Sequence, residues 1–251
     1  TPESAANLKT ARAALLKCPH KDMEKMEEMR AGGYLPASFL DWEGHVAAVI
    51  FTCGCNFRCP WCHNGELVTA GGGELLVKKI IADIKRRVKF LDGVVVSGGE
   101  PTLWPGLRPL LAELKELELA VKLDTNGTDP EQLRALIDEG LVEHVAMDIK
   151  APLDAISYAR LTAVPVDIAK IRDSVRIVKE HARSYEFRTT FVPALHRPED
   201  LPAIREQLND DAHWVVQCFK PTGCLDGRFL SYTAANPAEL ERLFPGISIR
   251  G

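Results

Sequence analysis

The sequence predicts an α/β fold, a partial (β/α)6 barrel, on three observations. Short continuous apolar runs such as Val46-Ala-Ala-Val-Ile-Phe51 and Gly93-Val-Val-Val-Ser97 have the character of parallel strands buried on both faces. The runs alternate with stretches that place apolar residues at helical spacing with charges between them. The polar motif segments fall mostly at the C-terminal ends of the predicted strands, the edge at which parallel α/β folds gather their ligands.

The strands are expected at residues 46–51, 93–97, 120–124, 144–148, 186–192 and 214–219. Helices are expected over 75–90, 107–117, 130–139, 168–184, 199–208 and 237–244, with Gly140 as a helix stop. Residues 34–42 read as an extended lead-in to the first strand, and residues 3–30 as two short helices joined near Cys18-Pro19. The chain divides into an N-terminal helical extension with its lead-in over 1–43 and the barrel over 44–251. The N-terminal segment reads as packing on the outside of the core rather than as a docking element.

At 251 residues the chain is long enough for one barrel-type domain, and its 46% hydrophobic and 26% charged residues are those of an ordinary globular protein. A net charge of −4 argues against a general nucleic-acid or anionic-membrane binder. The basic run Lys85-Arg-Arg87 reads as a solvated helix face. No apolar stretch approaches the roughly 18 residues needed to span a bilayer. Seven cysteines, an odd number concentrated in one loop, suggest reduced thiols and a cytoplasmic setting. The start, Thr1-Pro-Glu-Ser, lacks the pattern of a signal peptide and reads as a trimmed or processed end.

Four of those cysteines lie in Cys53-Gly-Cys55-Asn-Phe-Arg-Cys59-Pro-Trp-Cys62-His-Asn64, directly after the first strand. Cys55, Cys59 and Cys62 stand at C-x3-C-x2-C spacing. Soft thiolates at such spacing select zinc, copper(I) or an iron–sulfur cluster. Zinc in a structural site wants a fourth protein ligand, which His63 could supply, whereas a [4Fe–4S] cube on three cysteines leaves one iron free. No second C-x2-C or H-x3-H pair follows downstream.

This loop, with Trp61 just before the third cysteine, resembles the signature of the radical S-adenosylmethionine (radical SAM) enzymes. Ser97-Gly-Gly-Glu-Pro101, Asp124-Thr-Asn-Gly127 and Met147-Asp-Ile-Lys150 follow in the order that resemblance requires. The Cys-His-Asn ending at Asn64, together with the Asp-Thr-Asn-Gly and Asp-x-Lys segments, resembles glycyl-radical enzyme activating enzymes, closest to the anaerobic ribonucleoside-triphosphate reductase activating protein-like group. The likeness covers about residues 44–225.

The resemblance implies a [4Fe–4S] cluster on Cys55, Cys59 and Cys62, and SAM chelating its free iron. Ser97, Gly98, Gly99 and Glu100 match the segment that holds the amino group of SAM, although alone they would read as a plain turn. Trp61 is expected near the adenine. Asp124, Thr125 and Asp148 match a monovalent-cation site, Na+ or K+, beside the SAM carboxylate. The plainer use of Asp124 and Asp148 is as helix caps. Asn126 and Lys150 fall in the same cofactor-binding segments, and Arg188 resembles the position that reaches the SAM carboxylate or ribose. A rim ion pair is the plainer reading of the two cations.

His63 and Asn64 are expected to hydrogen-bond cluster sulfurs. Cys53 reads as a spare thiol and Cys218 and Cys224 as buried small hydrophobes. The implied function is activation of a glycyl-radical enzyme partner, with an electron donor such as flavodoxin or ferredoxin. The alternatives are a radical SAM enzyme acting on a small molecule, a peptide or RNA, and a non-catalytic zinc or iron–sulfur protein.

Overall fold

In the structure, a computed structural model that describes residues 28–69, 72–209 and 212–251, the apolar runs become strands in the sequence order expected. The elements begin with β1 (Arg30–Ala31), β2 (Gly33–Ser38) and β3 (Ala47–Thr52). Helix α1 (Gly65–Thr69) follows the cysteine loop, and β4 (Leu75–Leu76) leads into α2 (Val77–Arg87). Strand and helix then alternate through β5 (Gly93–Gly98), α3 (Leu107–Glu116), β6 (Ala120–Thr125), α4 (Pro130–Asp138) and β7 (His144–Asp148). Two helices, α5 (Ala155–Thr162) and α6 (Ile168–His181), precede β8 (Ser184–Phe191). Helix α7 (Asp200–Leu208), β9 (Trp214–Cys218), α8 (Pro237–Leu243) and β10 (Ser248–Arg250) complete the chain. Nearly all of residues 3–30, the expected pair of helices, lies outside the described residues.

One eight-stranded sheet carries the fold, in the order β10-β9-β8-β7-β6-β5-β3-β2. Every neighbouring pair is parallel except β2 on β3, which is antiparallel. The outermost strands, β2 and β10, do not pair with each other, so the α/β barrel is partial and open. The lead-in is thus part of the sheet: Gly33, Tyr34 and Leu35 pair with Phe51, Ile50 and Val49. β10 is a short additional parallel strand whose three residues carry no apolar run to announce it.

Burial explains the local choices. Ala47, Ala48, Val49 and Ile50 are all fully buried, so successive residues on both faces of β3 are covered, as in a parallel sheet packed on either side. In α2 the buried set Val77, Ile80, Ile81 and Ile84 recurs at three and four residues and faces the sheet, each side chain contributing roughly 1.5–3 kcal/mol. The basic run at its end pairs with Asp83 and Glu113 on the solvent side. Helix α6 stops at His181, short of the expected residue 184, because Ala182 turns to extended backbone and Ser184 already begins β8.

The caps bear on the site. Asp129 accepts from Gln132 N at the start of α4, and Asp154 accepts from Ser157 N at the start of α5. Asp124 and Asp148, five and six residues earlier, are therefore released from capping and end their strands facing the space inside the sheet.

Candidate active site

The loop after β3 is pinned at both ends and in its middle. Gly54, with φ +85°, donates its N–H to Leu67 O at 2.8 Å, Arg58 N donates to Thr162 O at 2.9 Å, and Cys62 N closes a turn onto Cys59 O at 3.0 Å. The loop after β5 is pressed against it. Gly99 N donates to Thr52 O at 3.0 Å and Glu100 N to Gly54 O at 2.8 Å. A Cβ on Gly99 would stand 1.9 Å from Gly54 O, so the glycine is required by the approach of two backbones to each other.

Cys55, Cys59 and Cys62 line one cavity of about 360 Å³ at the C-terminal edge of the sheet. Ser97, Gly98, Gly99, Glu100, Asp124, Thr125, Asn126, Asp148, Lys150, Arg188 and Trp61 line it too, so the structure brings all the expected site residues to one place. Cys53 is absent from that wall and packs with its sulfur against the Gly32 backbone. Cys218 is buried and Cys224 half-buried, and neither lines the cavity.

Burial pushes the Cys59 thiol up to about 12 and raises Cys55 as well. Such thiols keep their protons until a metal displaces them. Among the described residues no three His, Cys, Asp or Glu side chains converge on a single metal ion. Cys55, Cys59 and Cys62 come from one short loop and line the same cavity, and soft thiolates so placed suit an iron–sulfur cluster.

The remaining side chains form two networks. In the first, Glu100 is a buried brace, 1% exposed. Its carboxylate accepts from Thr102 N, from the hydroxyls of Thr102 and Thr125 at 2.7 Å each, and from Asn126 N at 2.7 Å. Burial pushes its pKa up against the pull of those bonds. The brace ties the loop after β5 to the loop after β6, and Glu100 lines the cavity as well.

The second network is ionic. Asp148 accepts from Lys150 Nζ at 2.8 Å and from Arg188 Nε at 3.0 Å. Burial would raise Asp148, but the charges of Arg188 and Lys150 hold it below the usual carboxylate range. Asp124 accepts from Ser97 Oγ at 3.0 Å through Oδ2. Its buried Oδ1 accepts no hydrogen bond and has Arg188 at 3.4 Å and Lys122 at 3.6 Å. The Lys150 ammonium lies 5.1 Å from the centre of the Trp61 ring, and the indole N–H is tied to Leu161 O at 3.0 Å.

His63 and Asn64 fasten the cysteine loop rather than bonding its sulfurs. His63 Nε2 meets Lys220 O at 2.8 Å and Asn64 Nδ2 donates to Gly98 O at 3.1 Å. The sulfur contacts come from Phe57 N, 3.4 Å from Cys55 Sγ, and from Asn126 Nδ2 at 4.0 Å. Thr190 and Gln217 also line the cavity, as do Asp41, Phe51, Phe57 and Val68, all outside the expected site residues. Thr190 was within reach of sequence reasoning, since it lies two residues beyond Arg188 on one strand and faces the same side.

Residues 49–206 match the sequence model of the Radical SAM superfamily. The chain belongs to the radical SAM superfamily. A Methanocaldococcus jannaschii protein provisionally named a glycyl-radical enzyme activating enzyme is 33% identical over 216 residues, covering 84% of this chain and 88% of that protein. The pyruvate formate-lyase-activating enzyme of Staphylococcus aureus is 35% identical over 129 residues, 47% of this chain and 51% of that enzyme.

Among solved structures, Streptococcus suis SuiB bound to precursor peptide SuiA superposes with a TM-score of 0.64 at 16% identity, over 81% of this chain and 48% of SuiB. A radical SAM methyltransferase from Sphaerobacter thermophilus superposes with a TM-score of 0.58 at 13% identity, over 95% of this chain and 82% of the other. The chain thus spans about half of SuiB and of the staphylococcal enzyme. SuiB and the Sphaerobacter methyltransferase share its fold. Family membership makes this radical SAM chain an enzyme and implies a [4Fe–4S] cluster and SAM. Among the described residues no helix is long and apolar enough to cross a membrane.

Proposed function

We propose that this radical SAM enzyme activates a glycyl-radical enzyme by abstracting a hydrogen from a glycine of that partner. The observation that carries the reading is the 33% identity to the M. jannaschii protein over 88% of that protein's length. The open barrel supports it, because a sheet whose edge strands do not meet leaves room for a partner's loop to approach the cavity.

In this reading Cys55, Cys59 and Cys62 hold the cluster, and Ser97, Gly98 and Gly99 receive the amino group of SAM. Lys150 and Arg188 face its carboxylate, while Trp61 forms the wall beside the adenine. When bound, the cluster would supply the one electron that cleaves SAM to methionine and the 5′-deoxyadenosyl radical needed for hydrogen abstraction. The protein's own part is orientation and exclusion of water. Buried Glu100 holds the two SAM-facing loops in register, and the Asp148–Lys150 pair keeps the ammonium on the cavity wall. A Na+ or K+ ion at Asp124, Thr125 and Asp148 belongs to the same proposal, sharing the carboxylates with Arg188. The enzyme would work in the cytoplasm, with flavodoxin or ferredoxin as electron donor.

The test is anaerobic incubation of the reconstituted enzyme with reductant, SAM and a glycyl-radical enzyme from the same genome, followed by electron paramagnetic resonance. A glycine-centred radical on the partner is expected. Consumption of SAM with no such radical, together with modification of a small molecule, peptide or RNA, would replace this reading by the other class of radical SAM chemistry.

A further inference from the structure

Three hydrogen bonds close a ring between the cysteine loop and the loop after β6. Asn126 Nδ2 donates to Asn56 Oδ1 at 2.8 Å, Asn56 Nδ2 donates to Thr128 Oγ1 at 2.8 Å, and that hydroxyl donates to Asn126 Oδ1 at 2.7 Å. Each group gives one bond and takes one, so the orientation of both carboxamides is fixed by the ring, and bonds in such a circuit strengthen one another. Asn126 is held twice more, by its backbone N–H on Glu100 Oε2 at 2.7 Å and by Thr128 N on its Oδ1 at 3.0 Å.

The ring uses one of the two N–H bonds of the Asn126 amide. The same nitrogen stands 4.0 Å from Cys55 Sγ, where Phe57 N is a second donor at 3.4 Å. Asn126 is 5% exposed, so little water competes for that N–H. We propose that Asn126, oriented by Asn56 and Thr128, sets the reduction potential of the iron–sulfur cluster through Cys55. Reduction adds a negative charge to the cluster and its thiolates, and a donor on a ligand sulfur stabilises the reduced form more than the oxidised one. Asn126 acts here as a positioning residue, through the sulfur. The proposal rests on the assignment of the cluster to Cys55, Cys59 and Cys62, and does not depend on what the enzyme's substrate is.

The experiment is an anaerobic redox titration of the reconstituted full chain, following the signal of the reduced cluster, with iron counted in each sample. Asn126→Ala should move the midpoint to more negative potential, a several-fold change in the one-electron equilibrium. Thr128→Val should move it the same way by less, although Thr128 makes no contact with sulfur. Asn56→Ala should behave like Thr128→Val. Equal midpoints for parent and Asn126→Ala at equal iron content, or a shift to more positive potential, overturn the proposal. If Asn126→Ala fails to hold iron, the other two variants decide, and unchanged midpoints in both overturn it. A parent chain that binds no iron overturns the cluster assignment and this proposal with it.

Discussion

Arg188 places its guanidinium between Asp124 and Asp148, with Nε 3.0 Å from Asp148 Oδ1 and a terminal nitrogen 3.4 Å from Asp124 Oδ1. The register of β7 on β8, which pairs Asp148 with Arg188, puts it there. Two carboxylates at neighbouring strand ends would repel by roughly 1–4 kcal/mol at about 4 Å, depending on the local dielectric, and the guanidinium removes that repulsion. Arg188→Gln should therefore weaken SAM binding roughly tenfold, about 1.4 kcal/mol. It should also leave the pair more dependent on a monovalent ion. Equilibrium binding of SAM is expected to be tighter in potassium than in choline for the parent, and the difference is expected to be larger for Arg188→Gln. Equal ion dependence in the two proteins would refute the bridging role.

The cysteine assignment is tested by iron counting after anaerobic reconstitution. Alanine at Cys55, Cys59 or Cys62 should lose the cluster, whereas Cys53→Ala should keep it, because the Cys53 sulfur packs against Gly32 outside the cavity. A full cluster in Cys59→Ala, or none in Cys53→Ala, contradicts the assignment.

Much of this was legible in the sequence, for reasons that are local. The apolar runs of β3 and β5 and the spacing of Cys55, Cys59 and Cys62 are properties of consecutive residues, and the strand ends then gather the motifs at one edge. What the sequence concealed depends on pairs far apart in the chain. The place of β2 in the sheet comes from its partner β3, since its burial is broken and it contains Pro36. Glu100 reads as part of a turn until Thr125 and Asn126 are seen to donate to it. Asp124 and Asp148 could have been caps, and were excluded from that use by Asp129 and Asp154, which are also Asp residues in helix-start positions.

Gly99→Ala probes the contact between the two cofactor-facing loops. With its Cβ 1.9 Å from Gly54 O the backbones must separate, at a cost of about 2 kcal/mol or more. Lower melting temperature and reduced iron retention are the expected outcome. Parent-like values of both would show that the close approach is dispensable.

His196 supplies a pH signature. Its Nδ1 accepts from Val192 N at 3.0 Å and its Nε2 meets Lys150 O at 3.1 Å, so the neutral ring fastens the backbone of Lys150. Burial lowers its pKa from 6.5 to about 4. The unfolded chain then binds a proton that the folded chain refuses, and stability present above pH 6.5 is lost as pH falls towards 4. At pH 5 the loss is about 2 kcal/mol relative to neutral pH. Urea unfolding at pH 7 and pH 5 should show a smaller drop for His196→Gln than for the parent. The same drop in both would place the pH sensitivity elsewhere.

In the proposed mechanism the three thiols and the strand-end loops around them form one site that cleaves SAM reductively. Its most direct measurement is the yield of 5′-deoxyadenosine and methionine from the reconstituted, dithionite-reduced protein without any partner. Slow formation of both products in equal amounts, lost in Cys55→Ala, Cys59→Ala and Cys62→Ala, is the predicted result. A protein with full iron content and bound SAM that yields no 5′-deoxyadenosine would contradict the account.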